Sequence, residues 1–462
     1  MANLNVAGSF RDPSGFLFLQ DGIIYRQVNR VYKEHYDHLI NSGLYKSLVD
    51  SGLLIPHEEV DINYAKSDNT YRVLKPEPID FISYPYEWCF SQLKDSALVT
   101  LEIQKEALKY GMTLKDCSAY NIQFRKGKPV FIDTLSFDRY HEGEPWVAYR
   151  QFCQHFLAPL VLMSYRDIRL NQLLRVYIDG VPLDLASSLL PFHSRFNFHL
   201  LLHIHFHSKS QKHYADKPMR KEMIKKRVSL TSLLGLIDSL ESLVRKLKWC
   251  PKGTEWDDYY ISNNNYILEA INHKKQLVSG FLDRISPKTV WDLGANTGLF
   301  SRIASKKGIP TICFDIDPAC VEINYLTAVD EGETNILPLL LDLTNPSPGI
   351  GWENEERTPF LKRGHADTAL ALALIHHLVI SNNLPLDRIA SFFNKICNSL
   401  IIEFVPKSDS NVQRLLATRK DIFPNYTQGA FESEFGKLFS IQTSEKIKNS
   451  ERTLYLMLAK EA

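Results

Sequence analysis

Residues 290–300 have the sequence VWDLGANTGLF, which constrains the fold more than any other stretch of the chain. Val290 and Trp291 are typical of the end of a buried parallel strand, and Gly294 and Gly298 permit a tight turn into a helix. A strand, a glycine-bracketed turn and a helix in this order open a cleft at the carboxyl edge of a sheet. The stretch therefore predicts an α/β domain with a ligand site at that edge.

Acidic residues end the next two predicted strands. Residues 311–315 predict the second strand, and Asp315 lies 21 residues after Gly294. Folds of this kind place a carboxylate against a ribose diol at that separation, so Asp315 is the expected ribose ligand. Residues 335–342 predict the third strand, which ends in Asp342.

Two residues of the glycine turn discriminate between cofactors. A dinucleotide fingerprint needs glycine at the position of Asn296, so that the backbone can approach a pyrophosphate. Asp292 precedes the turn, and its carboxylate would repel a phosphate. S-adenosylmethionine has an ammonium group, a sulfonium, a ribose and an adenine but no phosphate. The charges therefore favour S-adenosylmethionine over NAD.

The same stretch resembles motif I of class I S-adenosylmethionine-dependent methyltransferases, acid-x-Gly-x-Gly-x-Gly, with Asn296 as its one departure. The resemblance implies a Rossmann-like, seven-stranded methyltransferase domain in which Asp342 binds the adenine amine. The cofactor-binding residues expected on this basis are Asp292, Gly294, Asn296, Gly298, Asp315, Ile316, Asp342 and Leu343. A non-catalytic module that binds the cofactor as a ligand is the alternative.

Methyl transfer depends mostly on positioning, and it needs a general base only if the acceptor must lose a proton. His376 and His377 follow the predicted fourth strand, 366–374, and Glu403 lies in the fifth. These three residues are the catalytic candidates, because a histidine near its unperturbed pKa is a suitable base. The rival interpretation is that one histidine caps a helix or packs beneath the cofactor. The end of strand four lacks the Asn/Asp-Pro-Pro-Tyr motif, which counts against amino-methylation of DNA bases or of a glutamine amide.

The amino-terminal half has a different pattern. Residues 15–28 form two apolar runs around Asp21-Gly22, a strong hairpin signal, and a helix is expected over residues 32–51. Further along, Asp116 and Asn121 have D-x-x-x-x-N spacing, and Asp133 ends the following strand. This arrangement resembles the catalytic and metal-binding loops of the protein-kinase-like and aminoglycoside-phosphotransferase-like fold.

Two functional interpretations of this lobe stay open, beside the possibility that D-x-x-x-x-N is only a solvated turn. In one, Asp116, Asn121 and Asp133 bind Mg-ATP and transfer phosphate, with Arg26 or Lys75 pairing the phosphates. In the other, the lobe kept the fold and serves to recognise the acceptor. The second is favoured because no glycine-rich loop separates the first strands, and such a loop contributes directly to phosphate binding.

The whole chain resembles a bacterial group of long methyltransferase-like proteins with a kinase-like amino-terminal lobe. The segments that carry this resemblance are YPYEWCFSQLKDSAL, FIDTLSF, WDLGANTGLF, ILPLLLDLTNPSPGIGW, ALALIHHL and IIEFVPK. The expected organisation is an α+β kinase-like region at 1–145, a helical connecting region at 146–255 and the α/β methyltransferase domain at 256–462. The resemblance does not identify the methyl acceptor, a small molecule or a protein.

The composition limits the partners, the cellular compartment and the metal sites that we expect. The 54 basic and 53 acidic residues almost balance, so no overall charge favours DNA or an anionic membrane. Seven scattered cysteines without a CxxC pair argue against a disulfide framework, and no signal peptide or long apolar run is present. We therefore expect a cytoplasmic protein without a membrane or DNA partner. Six histidines between residues 193 and 213 alternate with apolar residues and lack a completing ligand, so no metal site is expected.

Overall fold

The structure is a computed structural model that describes residues 4–206, 228–251, 268–417 and 420–460 of the 462-residue chain. The chain divides into two compact units. Unit 1 comprises Met1–Cys250 and Gly349–Thr358, and unit 2 comprises Pro251–Pro348 and Pro359–Ala462. Unit 1 thus takes residues from both of the first two predicted domains, and also a short segment that lies far along the chain. No helix among the described residues is long and apolar enough to cross a membrane.

Unit 1 begins with a five-stranded antiparallel sheet in the order β1-β2-β3-β5-β4. Its strands are β1 (Leu4–Asn5), β2 (Gly15–Gln20), β3 (Ile23–Asn29), β4 (His57–Val60) and β5 (Thr70–Pro76). Asp21 and Gly22 join β2 to β3 with φ of 53° and 79°, which is the backbone twist that a tight hairpin requires. The predicted hairpin is therefore confirmed.

Two helices connect β3 to β4 where one helix over residues 32–51 was expected. They are α1 (Lys33–Asn41) and α2 (Leu44–Asp50). Gly43 separates them with a φ of 88°, a left-handed conformation that ends a helix and that glycine adopts at low cost. The prediction of one continuous helix was therefore wrong at this glycine.

The rest of unit 1 is mainly helical. The long helix α3 (Phe90–Lys109) precedes two small antiparallel pairs, β6 (Met112–Leu114) with β9 (Phe137–Arg139) and β7 (Ile122–Arg125) with β8 (Lys128–Phe131). The later helices are α4 (Tyr149–Phe152), α5 (Ala158–Tyr165), α6 (Leu173–Val176), α7 (Leu183–Leu189), α8 (Phe198–Leu200) and α9 (Leu230–Lys246). A π-helical turn, Cys153–Leu157, joins α4 to α5 and is almost completely buried. All seven cysteines of the chain are free thiols.

Unit 2 contains a seven-stranded sheet in the order β12-β11-β10-β13-β14-β16-β15. The first five strands along the chain are parallel, and β16 and β15 close the sheet antiparallel. The strands are β10 (Val290–Leu293), β11 (Thr311–Asp315), β12 (Ile336–Leu340), β13 (Ala366–Ala371), β14 (Cys397–Phe404), β15 (Phe439–Lys446) and β16 (Thr453–Ala459). Every residue of β10 and β11 is buried, as expected for strands covered on both faces.

The helices of unit 2 bury apolar faces. They are α10 (Leu268–Ile285), α11 (Ser301–Ser305), α12 (Pro318–Asp330), α13 (Leu386–Ile396), α14 (Ser410–Ala417) and α15 (Gln428–Leu438). In α13, Leu386, Ile389, Phe393 and Ile396 recur at helical spacing and are buried. Phe281 of α10 belongs to the hydrophobic core that also contains residues of β10, β13 and β14.

The strand order creates a topological switch point. From β10 the chain moves to β11 and β12 on one side, and it then returns to β13 and β14 on the other. Loops that leave β10 and β13 at their carboxyl ends therefore diverge, and in open parallel sheets ligands bind in the crevice that this divergence leaves.

An ion pair within unit 1, between a buried carboxylate and an exposed arginine, provides a test of this organisation. The Glu356 side chain is 2 % exposed, and Arg11 donates to its Oε1 from Nε at 3.0 Å and from Nη2 at 2.7 Å. Arg11→Ala should lower the free energy of unfolding by about 1–3 kcal/mol, because it leaves a buried carboxylate without its main donor. Urea unfolding measures this loss. Arg11→Ala/Glu356→Gln should recover part of it, and a double variant as unstable as the sum of both single variants would contradict the coupling.

Candidate functional site

A cavity of about 340 Å³ lies at the switch point of unit 2. Its wall contains residues that follow β10, β11, β12 and β13, which places it at the carboxyl edge of the sheet. Of the predicted site residues, the wall contains Gly294, Asn296, Asp315, Ile316, Asp342, Leu343 and His377. The other predicted residues of this unit, Asp292, Gly298, His376 and Glu403, lie outside the described wall.

The turn after β10 adopts left-handed backbone conformations. Gly294 and Gly298 have φ of 79° and 80°, and Asn296 has a φ of 51°. Asparagine is among the few residues other than glycine that adopt this conformation readily. Asn296 can therefore replace glycine in the turn without changing its path, and its Oδ1 accepts the Thr297 N–H at 2.8 Å.

Asp315 links the turn to the end of β11. Its Oδ2 accepts the backbone N–H of Asn296 at 2.7 Å, and its Oδ1 accepts that of Asp317 at 2.9 Å. Burial raises the pKa of Asp315 to about 6, although these two donors lower it. Each oxygen keeps further acceptor capacity, because a carboxylate oxygen has two lone pairs.

Asp292 and Asp342 have different environments. Asp292 is buried beneath the turn and accepts the Ser301 hydroxyl at 2.6 Å. Burial raises the pKa of Asp292 to about 6, against the influence of Ser301 and of the Lys274 charge. Asp342 is only half-buried, and its Oδ1 accepts both the N–H and the hydroxyl of Thr344, at 2.8 and 2.6 Å. Asp292 thus binds the helix that follows the turn, whereas Asp342 belongs to the cavity wall.

The two histidines after β13 lie close together. Their ring centroids are 4.2 Å apart, and His377 contributes to the cavity wall while His376 is 1 % exposed. Burial lowers the pKa of His377 to about 4, and the Arg452 charge adds to this effect. Burial and the neighbouring His377 lower the pKa of His376 well below its usual range. Both imidazoles are therefore neutral at pH 7, and His377 is a weaker base than a histidine at its unperturbed pKa.

Glu403 belongs to a buried ion cluster. Its Oε2 contacts Lys274 Nζ at 2.6 Å, and its Oε1 lies 3.5 Å from Arg452. Arg452 donates in turn to both oxygens of Asp409, at 2.7 and 3.0 Å. The side chains of Lys274, Glu403 and Arg452 are each at most 3 % exposed. Glu403 therefore has ionic partners within the chain. Its partner Lys274 belongs to the cavity wall, and Glu403 does not.

Sequence analysis missed Lys274. This residue occupies the apolar stripe of α10, between Ala270 and Val278, at a spacing that places all three on one buried face. A lysine at such a position is uncommon, because a buried ammonium needs a partner. That irregularity is the signal in the sequence that could have identified it. Other wall residues, such as Phe300 and Leu374, look like ordinary core residues in the sequence.

In unit 1, the three predicted kinase-like residues lie around one polar centre. Arg26 of β3 forms an ion pair with Asp133, whose oxygens also accept the Leu135 N–H at 3.1 Å and the Ser136 hydroxyl at 2.5 Å. Asn121 donates to the same Ser136 hydroxyl at 3.3 Å. Asp133 therefore has a cation and two hydrogen-bond donors from the chain itself.

Asp116 lies near this centre and has its own donors. Its Oδ1 accepts the Ser118 N–H at 2.9 Å and the Gln151 side-chain amide at 2.7 Å. Burial raises the pKa of Asp116, and the charge of Asp133 acts in the same direction. Lys75, the other candidate cation, lies opposite Glu58 on the β4–β5 pair.

Three of the described histidines of the connecting region contact hydroxyl groups. His199 and His203 both contact Oγ of Ser239, at 2.8 and 2.9 Å. His205 contacts Ser187 and Ser194 at 2.8 and 3.0 Å. Across residues 4–206, 228–251, 268–417 and 420–460, no group of three or more histidine, cysteine or acidic side chains could hold a metal ion. His207 and His213 lie outside the described residues.

Unit 2 is thus a Rossmann-like α/β unit with a cavity at its topological switch point. Nodulation protein NoeA of Rhizobium meliloti (strain 1021) is 36 % identical to the chain over 456 residues, which cover 97 % of this chain and 95 % of NoeA. The chain belongs to the NoeA family. No model of a protein family matches the sequence.

The chain has low similarity to solved structures of methyltransferases. Magnesium protoporphyrin IX methyltransferase (ChlM) from Synechocystis PCC 6803 with bound SAH shares 16 % identity at a TM-score of 0.31, covering 44 % of this chain and 98 % of ChlM. The bifunctional kinase-methyltransferase WbdD shares 13 % identity at a TM-score of 0.30, covering 47 % of this chain and 45 % of WbdD. These similarities are too low to support an argument about the site.

The glycines of the turn generate a paired test. A Cβ on Gly298 would lie 2.4 Å from Asn324 Oδ1 and 2.5 Å from Arg302 Nη1, whereas a Cβ on Gly294 would meet only Leu374, at 3.4 Å. Both Gly→Ala changes should cost about 1–2 kcal/mol of backbone strain. Gly298→Ala should cost about 1–3 kcal/mol more, because of the clash. Chemical denaturation measures both losses, and equal losses would contradict the packing around Gly298.

Proposed function

We propose that unit 2 binds S-adenosylmethionine in the cavity and transfers its methyl group to an acceptor that unit 1 recognises. The observation that carries the proposal is the convergence of the turn after β10 with Asp315 and Asp342 in one cavity wall. The carboxyl ends of the parallel strands β10, β11 and β12 thus place a tight turn and two acids in the same cavity wall. An adenosine presents a ribose diol and an exocyclic amine, and carboxylates accept hydrogen bonds from both.

The chemistry of the wall fits this ligand better than it fits a dinucleotide. Asp315 and Asp342 face the cavity, and Asp292 lies buried below the turn. Three acids beside the turn oppose a pyrophosphate by charge repulsion. They suit a ligand that carries an ammonium and a sulfonium. In the proposed complex, Asp315 would hold the ribose hydroxyls and Asp342 the adenine amine.

When bound, S-adenosylmethionine supplies a methyl group on a positively charged sulfur. The chain itself needs to orient donor and acceptor and to exclude water, since these effects account for most of the rate enhancement of such a displacement. Apolar wall residues, among them Phe300, Leu372 and Leu374, serve to exclude water. His377 would accept a proton from the acceptor if the reaction releases one, and its neutral imidazole is in the correct state to do so.

The alternative for unit 1 is a phosphotransferase that uses Asp116, Asn121 and Asp133 with Mg-ATP. The contacts of Asp133 favour the recognition role instead. A magnesium ligand would have to exchange the Arg26 ion pair and the Ser136 hydroxyl for a metal. Arg26 also stands where a phosphate-pairing cation was expected, and it is already bound to the carboxylate that would hold the metal.

Donor binding should depend on pH through Asp315. Ribose hydroxyls bind the ionised carboxylate more strongly, and its pKa is about 6. The affinity for S-adenosylhomocysteine should therefore be full above pH 7 and fall as the pH drops through 6. Asp315→Asn should weaken binding at pH 7.5 by about ten- to a hundredfold, from the loss of hydrogen bonds to a charged group.

Titration calorimetry at pH 5, 6 and 7.5 measures both effects. Asp317→Asn at pH 7.5 is the matched control for the affinity, because Asp317 is buried next to Asp315 but lies outside the described cavity wall. Since the Asp317 charge raises the pKa of Asp315, this variant should also move the fall in affinity to lower pH. Absence of binding by the unchanged protein, or unchanged affinity in Asp315→Asn, would refute the cofactor assignment.

Unit 1 can be tested with nucleotide. We expect the full-length protein to show no magnesium-dependent increase in thermal midpoint with ATP, because the chain already supplies the partners of Asp133. A magnesium-dependent increase that disappears in Asp133→Ala would instead establish the phosphotransferase alternative. An increase that persists in Asp133→Ala would indicate nucleotide binding elsewhere in the chain.

A further inference from the structure

Lys274 is the basic residue of the cavity wall. Among the described residues that line the cavity, it carries the sole positive charge at pH 7, opposite the acids Asp315 and Asp342. Its side chain is 3 % exposed. A lysine buried to this degree loses most of its hydration, and a chain tolerates that cost where the ammonium has a structural or binding role.

Two neighbours of Lys274 favour its charged form against the effect of burial. Glu403 lies 2.6 Å from Nζ, and the ring centroid of Phe300 lies 4.4 Å from it. Arg452 and Asp409 extend the cluster, so two cations and two carboxylates balance. Burial lowers the pKa of Lys274, and Glu403 opposes this. The cluster thus presents a fixed ammonium to the cavity without carrying a net charge.

Lys274 belongs to the part of the cavity that adjoins the glycine turn. Phe300, which it contacts, directly follows that turn, and the Lys274 charge acts on Asp292, which precedes it. Asp315 ends β11 and Asp342 follows β12, on the other side of the switch point from β13. If the two acids hold the adenosine, the amino-acid end of the same ligand lies toward the turn and toward Lys274.

We propose that Lys274 binds the carboxylate of the amino-acid portion of the methyl donor. This inference rests on the proposed function, because it assigns one end of the same ligand. That portion is a zwitterion, and the chain provides an acid, Asp292, and a cation, Lys274, near the same turn. The carboxylate is the part of the donor that the acidic residues would otherwise repel.

Two ligands that share the adenosine separate this contact from the rest of the site. S-adenosylhomocysteine carries the amino-acid portion, and 5′-methylthioadenosine lacks it. Lys274→Met should weaken binding of S-adenosylhomocysteine by about ten- to a hundredfold, as expected for a charge-assisted hydrogen bond, and leave the affinity for 5′-methylthioadenosine within about twofold. Lys275→Met is the matched control, since it removes the same charge from the next residue of α10, which lies outside the described wall.

Calorimetry on the full-length protein distinguishes the outcomes. If the unchanged protein binds neither ligand, the proposed function fails, and this inference fails with it. If the unchanged protein binds both and Lys274→Met weakens both equally, or weakens neither, the cavity assignment survives and the role of Lys274 is refuted. A selective loss of S-adenosylhomocysteine in Lys275→Met as large as in Lys274→Met would also refute it.

Lys274→Met removes the cation that lies 2.6 Å from Glu403, while Arg452 stays at 3.5 Å, and this loss can destabilise unit 2. Lys274→Met/Glu403→Gln removes the carboxylate together with its partner and keeps the shape of both side chains. Binding of 5′-methylthioadenosine reports whether the site is folded in either variant. A selective loss of S-adenosylhomocysteine in a variant that still binds 5′-methylthioadenosine supports the inference, and an affinity ratio of the two ligands equal to that of the unchanged protein overturns it.

Discussion

The hydrogen bond from the Asn296 backbone to the buried Asp315 carboxylate joins the two strands on which the ligand site depends. Asn296 lies in the turn after β10, and Asp315 ends β11. The bond fixes the turn against the neighbouring strand, and the positive φ values of the turn are compatible with that position. Because burial raises the pKa of this carboxylate to about 6, the chain holds the acid at some energetic cost. Such a cost is typical of residues kept for binding.

Charge is distributed unevenly around the cavity, and this distribution supports the proposed methyl donor. Acids follow β11 and β12, whereas the cation Lys274 comes from α10 next to the glycine turn. The neutral His377 begins the π-helical turn His377–Ser381 that comes after β13. A ligand with positive groups, a neutral diol and one carboxylate complements this set. A pyrophosphate does not, because the wall contains only one cation among its described residues.

Local patterns in the sequence predicted much of the fold. The bounds of β11 are those expected from its apolar run, and the hairpin at Asp21-Gly22 follows from turn chemistry. The break at Gly43 was missed, because an isolated glycine in a helical pattern is tolerated as often as it ends a helix. The ionic partners of Glu403, the low pKa of His377 and the place of Gly349–Thr358 in unit 1 depend on residues distant in the sequence. Periodicity and spacing carry no information about such contacts.

We propose that the cavity of unit 2 binds an adenosine-containing sulfonium donor and not a dinucleotide. Equilibrium dialysis of the full-length protein against S-adenosylmethionine and against NAD tests this claim most directly. We predict that one S-adenosylmethionine binds per chain, that S-adenosylhomocysteine displaces it, and that NAD shows no saturable binding. Saturable NAD binding together with no binding of S-adenosylmethionine would contradict it.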